Sequence, residues 1–356
     1  MSVWLVSPAF DVGLMILPAL IAVIVALAWP TAALSPAGWV LLVLCVDVAH
    51  VYASLYRTYL DGAELRRHPW RYALTPLGVA IGCVSLYRMA PQLYWTVLAY
   101  IAVFHFIRQQ VGITALYRLV EGAPYRGLEA RVERALVYAV TLTPILWWHA
   151  HLPRAFSWFV QGDFVSGLPG ALLPVAGGIT AALAVAHVTL RARSRRVAWG
   201  RDLWVGLTAL VWFGGIVLTD GDLAFTATNV VLHGVPYMAL VGLVGARQWS
   251  RTGQGPASRA WFGALPLFVL PLLVLAFAEE GLWDALVWRD NAWLFGDWAP
   301  QPGWEGLGIP LLSVPQVTHY LLDGLIWRLG PPNPALRSLL QGAGAASISS
   351  RSSRPG

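Results

Sequence analysis

Residues 224–246 read AFTATNVVLHGVPYMALVGLVGA. No side chain in this stretch carries a full charge at neutral pH, and at ~1.5 Å rise per residue a helix of this length covers the ~30 Å hydrocarbon core of a bilayer. Its few polar residues are ordered. Asn229, His233 and Tyr237 recur every four residues, so a helix gathers them on one face. An ionisable ring inside a membrane is costly and turns toward protein or a wet cavity rather than lipid. The stretch predicts a membrane-spanning helix with a functional polar stripe.

The pattern extends along the chain. Its 356 residues are 57% hydrophobic and 12% charged, and the mean hydropathy is +0.61. Segments near 12–29, 38–60, 72–90, 93–117, 134–152, 168–190, 203–219, 224–246, 261–278 and 307–328 approach the length a membrane helix needs. The expected fold is all-α, a polytopic transmembrane helix bundle of about ten spans forming one domain over residues 1–330. Arginine supplies every basic side chain apart from histidine, and the formal net charge is +6. In a soluble protein that excess would point to nucleic acid. Here the arginines sit in short loops after the even-numbered segments, among them Arg66, Arg67, Arg126, Arg131, Arg134, Arg191 and Arg201. The positive-inside rule accounts for them, makes both termini cytoplasmic and leaves no role for nucleic acid. The expected location is a bacterial inner membrane. The N-terminus lacks the basic region of a cleaved signal, so the first span is expected to be retained. Cys45 and Cys83 lie in apolar segments and read as small hydrophobes.

Two regions depart from the pattern. Residues 279–306 mix five tryptophans with Glu279, Glu280, Asp284, Asp290, Asp297 and Glu305, which reads as an interfacial, non-cytoplasmic excursion. Residues 331–356, rich in Pro, Gly, Ser and Arg, read as a disordered cytoplasmic tail.

Four histidines stand alone in apolar segments, and each has a polar neighbour one turn away: Asp47 with His50, Gln109 with His105, Asn229 with His233, and Asp323 with His319. All four lie on even-numbered, parallel spans. Measured to the next cytoplasmic arginine their depths differ by seven residues, or roughly 10 Å along a helix. They are expected to converge on one polar centre. His68, His149 and His151 lie at loop or interfacial positions, and His187 stands close to the arginine loop.

Imidazole and carboxylate are ligands for iron, zinc, copper or manganese. His50, His105, His233 and His319, with Asp47 and Asp323 as ligands or acceptors behind them, would hold one or two ions. Gln109 and Asn229 would orient the ligands. Arg108 would balance charge by pairing with Asp47 or Asp323, and Tyr237 would contact oxygen or substrate. Other readings remain open. The same stripes would serve a transporter or proton relay, with Pro236 and Pro315 as helix breakers. Buried polar residues also act as interhelical glue worth ~0.6 kcal/mol per contact, as in a non-catalytic scaffold.

The pair His105-Phe106 and the segment 314–328, VPQVTHYLLDGLIWR, resemble motifs of the bacterial membrane-bound beta-carotene dioxygenases of the Brp/Blh type. His50 stands for that family's first histidine, and Asn229 and His233 fall where the family has a paired HxxxH. Asn229 replaces one histidine of the pair, Gln109 stands where the family has an acid, and the Pro-His-Gly motif is absent. The resemblance implies an iron-dependent oxygenase scaffold acting on a membrane lipid or another lipophilic small molecule.

Overall fold

A computed structural model describes residues 4–194, 197–252, 265–298, 303–328, 333 and 335–341, and among these it is helical with no strand. The principal helices are α1 (Pro8–Ala28), α2 (Pro36–Arg57), α3 (Pro69–Met89), α4 (Pro91–Glu121), α5 (Leu128–Ala150), α6 (Leu172–Ser194), α7 (Trp199–Trp212), α8 (Asp222–Thr252), α9 (Leu265–Trp288), α10 (Glu305–Leu312) and α11 (Val314–Ile326). Six of them are long and apolar enough to cross a membrane: α1, α2, α4, α6, α8 as far as Gln248, and α9. The expected segments are mostly helical over their described residues, but the others fall short individually. α3 and α5 carry charges near their ends, α7 has 14 residues, and α10 and α11 part at Ser313. The apolar helices leave large aliphatic side chains uncovered, including Val175, Ile179, Val185 and Val188 on α6. A surface of that kind belongs against lipid.

Two compact units divide the chain. One comprises Met1–Leu34 and Ala102–Pro236, closed by residues from Leu340. In it α5 packs on α6 and α7, and α1 packs on α7. Val137, Val140 and Val205 form part of the core. At one end lies a buried ion network. Arg118 pairs with Glu133 and Glu129, Arg191 with Asp202 and Glu129, and Arg201 with Glu121, Glu129 and Glu133. These arginines read as loop charges in the sequence, but the acids of α4, α5 and α7 enclose them. His187 joins this network, with Nε2 3.6 Å from Asp202.

The second unit comprises Ser35–Ile101 and Tyr237–Leu339. There α9 packs against α2, and α3 packs against α10 and α11. Its core includes Ala49, Ala53, Tyr56, Tyr237, Val241, Phe268, Leu272 and Ala276. Helices α4 and α8 contribute residues to both units.

The regions expected outside the spans are more ordered than their composition implies. The ninth segment does not stop near 278; α9 continues to Trp288, so Glu279, Glu280 and Asp284 lie on the helix. Glu279 is satisfied there by the Tyr52 hydroxyl and Trp283 Nε1, and Asp284 by the backbone N–H of Asn291. Leu336–Gln341, expected to be disordered, form a helical turn, because Leu336, Leu339 and Leu340 share one apolar face and are buried. Residues 342–356 of the expected tail lie outside the described residues.

Several helices contain wide π-turns, at Asp11–Ile16, Val40–Val48, Phe213–Val217 and Asp284–Trp288. The third includes Gly215, where an added Cβ would stand 1.9 Å from Thr228 Oγ1. Gly215→Val is therefore expected to lower the unfolding temperature in detergent or nanodiscs, on the scale of about 1–3 kcal/mol for overpacking. Gly82→Ala on α3, with nothing within 4 Å, is expected to be neutral or stabilising by at most ~1 kcal/mol. Equal melting of the two variants would contradict the packing described.

Candidate metal centre

Each of the four isolated histidines is held by its own surroundings. In the first unit His105 and His233 meet edge to face, with ring centroids 4.9 Å apart. Phe106 stacks on His233 at 3.8 Å, with the planes 10° apart. The loop after α5 contributes Trp158, whose ring meets the edge of Phe106 at 5.2 Å. Gln109 Nε2 donates to the His233 carbonyl at 2.8 Å. Pro236 lies in the same stretch of α8; a proline inside a helix lacks an N–H, so the Leu232 carbonyl four residues earlier loses its helical donor.

In the second unit His50 and His319 meet in the same way at 5.0 Å. Tyr237 presents its ring edge-on to both, at 5.8 Å from His50 and 5.2 Å from His319. Its hydroxyl donates to Asp323 Oδ1 at 2.6 Å. Asp323 Oδ1 stands 3.7 Å from His319 Nδ1, and Asp47 Oδ1 stands 3.8 Å from His50 Nδ1. These separations are too long for direct hydrogen bonds but place a carboxyl group behind each ring. A metal-bound imidazole commonly has a carboxylate as its second partner.

His233 and Tyr237 lie one turn apart on α8. One ring nitrogen from each of His50, His105, His233 and His319 lies within 4.8 Å of those of the other three, and none of the four residues is more than 6% exposed. Four buried histidines so placed can bind a metal ion. Around a tetrahedral ion with bonds of ~2.1 Å the nitrogens stand ~3.4 Å apart, closer than the 4.8 Å that bounds these four. The donors are all imidazole, which suits zinc, copper, iron or nickel and disfavours magnesium or calcium.

The structure revises several assignments made from spacing. Among the described residues the mutually close donors are the four imidazoles; Asp47 and Asp323 lie behind their histidines, because a one-turn offset sets a carboxylate alongside the neighbouring ring. Arg108 does not supply the balancing charge. It is exposed, and its Nη1 donates to the Tyr138 hydroxyl at 2.6 Å. The cation on the second unit's polar stripe is Arg57, which is buried, lies over the Trp327 ring at 5.4 Å and acts electrostatically on Tyr237 and Asp323. Asn229 donates to the Phe225 carbonyl at 3.1 Å, within its own helix, and its Oδ1 is buried without a hydrogen-bond partner. Gln109 steadies the His233 backbone. Phe106 entered the sequence reading only as the neighbour of His105 in the resemblance, and Trp158 was not legible as a site residue because it lies outside the spans.

Comparison with family models, curated proteins and solved structures returns no match.

Tyr237→Phe removes the donor to Asp323 and leaves a buried carboxylate oxygen without it. The variant is expected to lose about 1–3 kcal/mol of stability, read by thermal unfolding in nanodiscs. Arg108→Gln, at an exposed position, is expected to change stability by no more than ~1 kcal/mol. A reversed order would restore Arg108 to the centre.

Proposed function

We propose that this chain is an integral membrane oxidoreductase, an iron-dependent oxygenase acting on a lipophilic substrate, with its four-histidine centre as the metal site. One observation carries the reading: four polar stripes, isolated in apolar sequence, bring four buried imidazole nitrogens within 4.8 Å of one another. Burying four such rings together for packing alone would cost more than apolar residues of similar size. The choice of iron and of oxygenase chemistry rests on the resemblance of His105-Phe106 and residues 314–328 to the membrane-bound dioxygenases. In this reading the ten helical segments cross a bacterial inner membrane with both termini cytoplasmic, supported by the arginine alternation.

His50, His105, His233 and His319 would hold the ion, which would supply the redox centre that dioxygen chemistry requires. Phe106 fixes the plane of His233, and Gln109 fixes the backbone that carries it. Tyr237 and Asp323 hold the ring of His319 from behind. Near-complete burial excludes bulk water, and a lipophilic substrate would approach from the lipid. Tyr237 is the hydroxyl best placed to orient it.

Metal analysis of the purified protein, expressed in iron- and zinc-replete cells, tests the centre. The expected result is about one ion or more per chain, lost in the His105→Ala/His319→Ala variant and dominated by iron. Metal-free wild-type protein would remove the metal reading. Dioxygen uptake by iron-loaded protein in vesicles containing a long conjugated polyene tests the reaction class. Metal retention without uptake on any polyene or unsaturated lipid, but with ion flux across the vesicle wall, would favour the transporter reading.

A further inference from the structure

The loop joining α4 to α5 and the first turns of α5 form a second polar feature, in the first unit. Tyr125, Arg126, Gly127, Arg131 and Arg134 line a concavity of about 450 Å³. All three arginines are exposed, and none takes part in the ion pairs formed among the described residues. The nearby acids are already engaged. Glu129 Oε1 is shared by Arg118, Arg191 and Arg201, Glu121 pairs with Arg201, and Glu133 pairs with Arg118 and Arg201. The same network shapes the pocket, because Arg118 Nη1 donates to the Pro124 carbonyl at 2.9 Å and so pins the loop that carries Tyr125 and Arg126.

Three guanidiniums around one hollow repel each other unless an anion joins them. Guanidinium matches phosphate geometry and binds it through paired hydrogen bonds. The positive-inside rule asks only for positive loops; it does not ask that three arginines line one concavity while every neighbouring acid is held elsewhere. Leu128, the residue after Gly127, is 58% exposed, and Tyr125 is 38% exposed. An apolar and an aromatic side chain beside a basic hollow, at the end of membrane-crossing α4, mark the headgroup level.

We propose that this pocket binds the phosphate of an anionic phospholipid headgroup. Basic pockets between membrane helices take such headgroups. Native mass spectrometry and thermal unfolding in nanodiscs of phosphatidylcholine, with or without cardiolipin, test it. Wild-type protein is expected to retain cardiolipin and melt higher with it. The Arg126→Gln/Arg131→Gln/Arg134→Gln variant is expected to lose roughly tenfold or more in apparent affinity, one to two guanidinium–phosphate contacts' worth. Arg66→Gln/Arg67→Gln, in another basic loop, is expected to bind as wild type. Unchanged binding by the triple variant, or an equal loss in the Arg66/Arg67 variant, would overturn the pocket. Inorganic phosphate that reproduced the melting shift and displaced cardiolipin would overturn the lipid assignment and leave a soluble-anion site. Should the triple variant melt below wild type in phosphatidylcholine alone, single Arg131→Gln takes its place, with a several-fold loss expected and no loss overturning the proposal.

Discussion

The cost of an imidazole in apolar surroundings organises this protein. A lone histidine in a lipid-facing helix has nothing to offset its lost hydration. Each of the four isolated histidines has been drawn toward another: His105 to His233, and His50 to His319. Aromatic partners complete the arrangement, with Phe106 flat on His233 and Tyr237 edge-on to His50 and His319. The polar groups nearest the rings are bonded in turn, Gln109 to backbone and Tyr237 to Asp323. Each pair is thus held by its own unit before any ligand arrives, the condition under which a binding group loses least on occupation.

A different solution governs the ion network of the first unit. Arg201 and Glu133 are each only 1% exposed, and neither would be tolerated there alone. Pairing makes the burial possible without making it strongly stabilising. Its structural return is positional: three arginines and four acids drawn from α4, α5, α6 and α7 fit together in few ways. The network also sorts the arginines into two populations, enclosed ones that set helix ends and exposed ones that keep their charge for a partner.

Much of the centre was legible because the bilayer makes polar residues rare, so their spacing is informative. The four histidines, and Asp47 and Asp323 one turn away, followed from isolation and periodicity. Which way a helix turns is harder to read. Arg108 lies three residues from His105, near enough in angle to share its face on paper, yet it points to Tyr138 because packing sets the rotation. Arg57, seven residues after His50, is buried over Trp327. Elements that depend on distant partners were invisible for the same reason. Glu279 resembled an interfacial acid until Tyr52, 227 residues away in sequence, supplied its hydrogen bond. The run from Leu336 to Gln341 looked disordered by composition, although its leucines are spaced for one face. Helix existence was clear for most of the described segments; among the described residues six helices are long and apolar enough to cross a membrane.

The π-helical run Val40–Val48 ends just before the α-turn that carries His50, and a tight 3₁₀ turn at Ser54–Arg57 follows. A wide turn takes up more residues per revolution than an α-turn, and a 3₁₀ turn takes up fewer. Along α2 the backbone therefore first lags and then catches up with ideal helical phase. The apolar stripe upstream and the histidine downstream are decoupled in azimuth, and a sequence that would aim His50 elsewhere in a uniform helix can still deliver it to the centre. The winding of α2, and not its sequence period alone, sets the bearing of His50.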